Sequence, residues 1–157
     1  MEKSWQDVLD TFHYGIYLIT INTDSGYNGM IASWVSQCSH EPPLVAIAIR
    51  NNRLSCEQIR ETGGFTINVL PREFMNSIQR FKIPDWKRKF DDLDYTITTG
   101  GRPVLSTAIG YLDCTVEHVV ETGDHTLFIA GVRSGELRKH GDSLCTEQYA
   151  GVYRGER

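Results

Sequence analysis

Residues 26–55, GYNGMIASWVSQCSHEPPLVAIAIRNNRLS, decide how this chain folds. Residues 29–36 and 44–49 are two strand-like runs, and His40-Glu41-Pro42-Pro43 between them is a turn punctuated by proline. The second run, Leu44-Val45-Ala46-Ile47-Ala48-Ile49, is continuously apolar, the pattern of a strand buried on both faces. The first carries small residues at its centre, Ala32 and Ser33, which leave room beside a sheet for a flat ring. The chain then turns basic and polar at Arg50-Asn51-Asn52-Arg53, and a helix is expected from Ser55. Helix N-termini carry unpaired N–H groups and the positive end of a dipole, so arginines placed there suit a phosphate. The stretch therefore predicts a ligand that combines a flat ring with a phosphate.

The flanking sequence continues as strands and turns with a few helical patches. Ser4 opens a short helix whose Trp5, Val8, Leu9 and Phe12 recur at helical spacing and are expected to pack on the body. Residues 16–21 are β-rich, and Asn22-Thr23-Asp24-Ser25-Gly26 is a turn, giving a hairpin into 29–36. Ser55-x-x-Gln58 reads as a capping box for a helix over 56–62, which Gly63-Gly64 ends. A strand over 65–70, a helix from Pro71 to about Phe81 and a polar surface excursion over 82–94 follow. In the excursion Trp86 and Phe90 are read as apolar anchors, with shielding of a ring as the alternative, and the acidic run Asp91, Asp92 and Asp94 as solvated. Residues 95–99 form a short strand and 100–103 a turn. Residues 109–121 and 126–132 form a long hairpin about Gly123-Asp124-His125. This pattern predicts a mainly β fold, a closed antiparallel barrel of six strands with a few short peripheral helices.

Composition narrows the function. One domain over residues 1–157 is the simplest division, with 40% hydrophobic and 23% charged residues. A net charge of −4 carries no electrostatic footprint for nucleic acid. The four cysteines, Cys38, Cys56, Cys114 and Cys145, form no CxxC pair, so neither a metal site nor a disulfide framework is expected. Reduced thiols and a polar first segment without a leader pattern suit the cytoplasm. No apolar run reaches the ~18–20 residues that cross a membrane. His13, His40, His118 and His140 have no partner at ligand spacing. The glycines form no G-x-G-x-x-G motif, so a nicotinamide nucleotide would be a transient substrate.

The order NGMIASWVSQCSHEPPLVAIAI resembles the flavin reductase-like family. The likeness continues in Gly64-Phe65-Thr66-Ile67-Asn68-Val69-Leu70 and in Gly123-Asp124-His125 with Leu127-Phe128-Ile129, and spans roughly Tyr14 to Tyr153. It implies a Greek-key split β-barrel that binds FMN, with FAD as the alternative, and that meets NADH or NADPH transiently. It implies that Asn28, Gly29, Met30, Ile31, Ala32, Ser33 and Trp34 flank the isoalloxazine, whose pyrimidine edge needs backbone donors and acceptors. It also implies that Gln37, Cys38 and Ser39 contact the flavin or its ribityl-phosphate tail, with no redox role for the thiol. Arg50, Asn51, Arg53, Leu54 and Ser55 are read as the phosphate anchor, through charge-assisted hydrogen bonds. The resemblance places His125 near the ring or the incoming nicotinamide. Hydride transfer is the cofactor's own chemistry, so His125 is expected to position rather than to act as an acid. Tyr149 and Tyr153 are expected to cover a cofactor or to pack across a subunit boundary.

The implied activity is that of an NAD(P)H-dependent flavin reductase. Electrons pass from reduced nicotinamide or a protein donor to FMN, and on to an acceptor or partner protein. The resemblance implies a homodimer with flavin sites near its interface. Three alternatives remain open: a carrier that holds FMN tightly and reacts little with NAD(P)H, a flavin-binding barrel without turnover, and a structural barrel used only for association. Neither nucleic acid nor a membrane is expected as a partner.

Overall fold

The computed structural model describes residues 3–149, so Tyr153 lies outside the described residues. Along β4 (Leu44–Arg50), Val45, Ile47 and Ile49 are buried while the residues between them are half-buried. The continuous apolar run therefore has one core face and one partly open face, a correction to the doubly buried strand. Its open face carries the small Ala46 and Ala48, and Ala48 faces a cleft.

The other strands are β1 (Tyr17–Thr23), β2 (Gly26–Ala32), β3 (Val35–Ser39), β5 (Gly64–Val69), β6 (Tyr95–Ile97), β7 (Pro103–Leu105), β8 (Gly110–Glu121) and β9 (His125–Leu137). Seven of them form one antiparallel sheet in the order β2-β1-β5-β8-β9-β4-β3, and β6-β7 is a separate pair. The closed six-stranded barrel is thus corrected to a seven-stranded sheet whose edge strands, β2 and β3, pair with no further strand among the described residues. The reason is local. Residues 29–36 are not one strand: β2 ends at Ala32 on one edge of the sheet, and β3 restarts at Val35 on the other. Ser33 and Trp34 carry the chain across. Three Cα steps reach at most roughly 11 Å, so the sheet curls until its edges approach.

Two cores follow from that curl. Inside it, Ile19, Ile21, Ile47, Ile49, Phe65 and Phe128 pack with Cys56 and Ile59 of the helix α2 (Leu54–Thr62). Each such buried side chain contributes ~1.5–3 kcal/mol. On the other face Ile16, Leu18, Leu70, Ile78, Phe81 and Phe90 form a second cluster, partly under the 3₁₀ segment Arg72–Lys82. Phe90 is buried there, as an anchor of the excursion; so is Lys89, which that reading left on the surface.

Helix ends show where local signals mislead. Gly63 ends α2 in the left-handed region at φ 76°, and its N–H returns to Ile59 O. At the other end the capping box does not form. The helix starts at Leu54, and Arg53 is its extended N-cap without a side-chain cap bond. Ser55 and Gln58 turn inward instead, because a buried Asn28 needs partners: its Nδ2 lies 2.7 Å from Gln58 Oε1 and 3.4 Å from Ser55 Oγ. The helix α1 (Lys3–Leu9) contains Ser4 rather than being capped by it. Trp5, Val8, Leu9 and Phe12 are 44–59% exposed in this chain, a correction to the expectation that they pack on the body. No helix among the described residues is long and apolar enough to cross a membrane.

Candidate functional site

The β2–β3 crossing, the N-terminus of α2, the β8–β9 turn and residues 81–89 enclose a cleft of about 1020 Å³. Nucleotide-sized ligands occupy clefts of this order. Sequence proximity builds one wall. Asn28, Met30, Ile31, Ala32, Ser33 and Trp34 all line it. Asn28 is 1% exposed, and its Oδ1 accepts from the N–H of Gly29 at 2.8 Å while its amide binds α2. The wall strand and the helix are therefore tied by a buried polar cluster whose members are satisfied, as burial requires.

Gly29 itself does not line the cleft. A Cβ there would lie 2.9 Å from Phe81 Cδ1 and 3.1 Å from both Leu18 Cδ1 and Phe90 Cζ. Glycine at this position lets the aromatic cluster close against β2.

The basic side is built by the end of β4 and the start of α2, where Arg50, Arg53, Leu54 and Ser55 line the cleft. Arg50 Nη1 is 3.8 Å from Asp124 Oδ2. Asn51 faces away from the cleft and holds the β8–β9 turn. Its N–H donates to Asp124 O at 2.9 Å, its Nδ2 to Gly123 O at 3.3 Å, and its Oδ1 accepts from Thr126 Oγ1 at 2.7 Å. That turn presents His125, whose Nδ1 donates to Asp124 Oδ1 at 2.6 Å. The hydrogen bond to His125, then its charge and that of Arg50, holds the Asp124 carboxyl below its ordinary value. The imidazole lies over Trp34, with ring centroids 4.5 Å apart and planes 31° apart. Trp34 continues to Tyr14 at 6.3 Å, and Tyr14 to Phe12 at 6.4 Å, so aromatic rings edge the cleft.

Gln37, Cys38 and Ser39 are not brought to the cleft. Beyond Trp34 the chain runs out along β3, where Gln37 Nε2 donates to Ser39 O at 3.1 Å on the exposed surface. The structure adds groups that residue reading missed: Phe81, Lys82, Ile83, Pro84 and Lys89 line the cleft, as does Trp86, for which shielding of a ring was the alternative to anchoring. The signal available for them was the set Ile83, Pro84 and Trp86 inside an otherwise polar stretch. Among the described residues no three His, Cys, Asp or Glu side chains could share a metal ion.

A ring-and-phosphate ligand fits this donor set: a strand with small residues, two arginines beside a helix N-terminus, and a cavity of the right size. The family profile described as the flavin reductase like domain matches residues 9–155. The chain belongs to the flavin reductase-like family. Within that family it is 30% identical over 157 residues to a flavin reductase of Pseudomonas putida, covering 99% of this chain and 91% of that protein. It is 32% identical over 151 residues to the high molecular weight rubredoxin of Moorella thermoacetica, covering 94% of this chain but 66% of the relative. The chain thus spans just under two-thirds of that relative's length. Its fold matches the NADH:FAD oxidoreductase SgcE6 of Streptomyces globisporus at a TM-score of 0.84 and 23% identity, over 92% of this chain and 87% of the other.

Proposed function

We propose that this protein is a single flavin-binding domain over residues 1–157 that reduces FMN with NADH or NADPH and passes the electrons to a second acceptor. The observation that carries the reading is the pairing, in one cleft, of the wall that holds the small Ala32 and Ser33 with Arg50 and Arg53 at the N-terminus of α2. The wall supplies a flat surface and backbone polar groups for the ring. Arg50, Arg53 and the first N–H groups of α2 supply the phosphate site. FMN ends at that phosphate, which favours it over FAD. When bound, the flavin supplies the hydride-accepting chemistry. The chain's residues orient it, exclude water through Trp34 and Trp86, and leave the His125 side for the nicotinamide. His125 acts by position, fixed through its Nδ1–H bond to Asp124.

The exposed Trp5, Val8, Leu9 and Phe12 beside the cleft support a homodimer in which a second copy covers this face. A cytoplasmic setting suits the free thiols of Cys38, Cys56, Cys114 and Cys145. A second reading is favoured by the likeness to a high molecular weight rubredoxin: a domain that holds FMN and receives electrons from another protein. An anaerobic titration separates the two. Protein with excess FMN is followed by absorbance while NADH, then NADPH, is added. Turnover of the excess FMN is expected. Tight binding without bleaching supports the carrier, and no binding of FMN refutes both.

A further inference from the structure

Residues 81–89 form a loop that returns to where it began. The chain leaves the 3₁₀ segment Arg72–Lys82 at Phe81 and comes back at Phe90, and these two rings pack edge-on at 5.4 Å in the second cluster. The return end is held firmly. Lys89 Nζ donates to Gly29 O at 2.8 Å, Phe90 packs on Tyr95 at 5.6 Å, and Asp92 turns the chain in the left-handed region at φ 62°. The tip bonds to its own loop: the N–H of Arg88 donates to Asp85 O at 3.1 Å and that of Lys89 to Trp86 O at 3.3 Å. Ile83, Pro84 and Trp86 belong to neither core cluster and line the cleft instead. Few buried contacts and local hydrogen bonds mark a segment that opens without the rest of the fold.

One side chain closes the neck of this loop. Arg80 Nε donates to Lys89 O at 3.0 Å, and its Nη2 donates to Asp91 O. A guanidinium presents its donors in a rigid fork, so it grips two carbonyls of the returning chain at once. Arg80 does not itself line the cleft. It sets the position of one loop end against the other, and through them the reach of the tip over the cleft. Compact loops with close ends act as covers, and a cover controls how long a ligand stays. We propose that Arg80 is a positioning residue of this cleft: it latches the loop over 81–89 so that Ile83, Pro84 and Trp86 cover a bound ligand. The flavin reading above supplies the ligand; the latch is tested apart from it.

The test uses trypsin, because Lys82, Lys87 and Arg88 place its target bonds in the loop, whereas the bond after Arg133 lies within β9 and is exposed on global unfolding. Wild type, Arg80→Met, Arg80→Lys and the control Arg72→Gln are digested without ligand, and the fragments are identified by mass. Arg72 lies in the same 3₁₀ segment but faces Asp142 on the surface at 3.6 Å. Loss of two hydrogen bonds from a charged donor is expected to speed loop cutting in Arg80→Met about tenfold, with β9 still intact. Arg80→Lys keeps the charge without the fork and is expected to fall between, and Arg72→Gln to match wild type. Saturating FMN is expected to protect the loop of wild type. The Kd values of FMN and riboflavin are expected to rise together in Arg80→Met, by about tenfold, because this wall meets the ring and not the phosphate. Loop cutting at the wild-type rate in Arg80→Met overturns the latch, and so do cuts after Arg133 that appear together with those in the loop. A loop that FMN leaves unprotected, or a released loop with unchanged flavin Kd, overturns the positioning role. If Arg80→Met does not fold by circular dichroism, Arg80→Lys is judged by the same outcomes. Wild type that binds neither flavin overturns the flavin reading and with it the positioning role, while the digestion without ligand still decides the latch.

Discussion

Replacing Arg50 and Arg53 together with glutamine removes two cations from the cleft, and the loss is expected to fall on the phosphate alone. Arg50 is 23% exposed, and its ionic neighbour Asp124, at 3.8 Å, is 78% exposed. A pair so long, with so exposed a carboxylate, competes weakly for the guanidinium, which is therefore available to an incoming anion. A charge-assisted hydrogen bond contributes ~1.5–3 kcal/mol, and partial exposure places Arg50 at the lower end of that range. Two such contacts amount to about 3 kcal/mol, or roughly a hundredfold in Kd. Riboflavin has the same ring and no phosphate, so its Kd is expected to move less than about threefold. Flavin fluorescence titrations at low ionic strength measure both ligands on both proteins. Asp124→Asn adds a second check. It removes the carboxylate that competes for Arg50, so it is expected to tighten FMN in the wild-type background and to lose that effect beside Arg50→Gln. Equal loss for FMN and riboflavin in the double variant refutes a phosphate role for this wall.

Two further predictions concern the frame around the site. Asp113 is buried and accepts from Arg102 Nη1 at 2.9 Å, Thr66 Oγ1 at 2.5 Å and Gly100 N at 2.8 Å; Asp113→Ala leaves three donors unpaired. Loss of one partner of a buried pair costs about 3–5 kcal/mol, a fall in Tm of roughly 6–20 °C by calorimetry, and a change below about 1 kcal/mol refutes the anchoring role. Burial, with the Asp113 charge adding to it, pushes the Cys114 thiol up from 9.0 to about 12. Between those values the unfolded thiol releases its proton and the folded one keeps it, so rising pH favours unfolding by about 1.4 kcal/mol per unit. Cys114→Ala is expected to flatten the alkaline limb of the stability curve by that slope; parallel limbs count against it.

The strands were legible because alternation and turn residues act locally. Gly63 ended its helix where expected, and Gly123-Asp124-His125 turned the long hairpin. The break between β2 and β3 was not legible, since Ser33-Trp34 contains no glycine or proline; it is set by the need to cross from one sheet edge to the other. Ser55-x-x-Gln58 misled for a different reason. Residues three apart share a helix face, so one spacing serves both a capping box and an inward polar pair, and only the long-range partner Asn28 decides between them. The apolar stripe of Trp5, Val8, Leu9 and Phe12 announced an apolar face but not what covers it. Asn28, Met30, Ile31, Ala32, Ser33 and Trp34, with Arg50, Arg53, Leu54 and Ser55, reach one cleft because the chain delivers them almost contiguously, while Gly29 and Asn51 do not line it. Lys89 was not legible, because it meets Gly29 across 60 residues of sequence and is surrounded by charges that read as solvated. Gln37, Cys38 and Ser39 were over-read: once Trp34 crosses the gap, β3 leads away from the cleft.

These features share one physical cause. The curled sheet needs a plug, and α2 provides it by burying Cys56 and Ile59 in the core inside the curl. A helix that plugs the sheet must begin at its rim, so its N–H groups and Arg53 arrive at the cleft without any separate device. The same helix turns Ser55 and Gln58 toward Asn28, which fixes β2 relative to the helix N-terminus. The ring wall and the basic wall are therefore set by one buried cluster, and the spacing between them is a property of the core. Lys89 and Phe90 extend the argument to the third wall, since the aromatic packing that stabilises the excursion is what holds the ammonium against Gly29. Charge at this cleft is thus placed by packing, and the β8–β9 turn adds the exposed Asp124 and the largely buried His125.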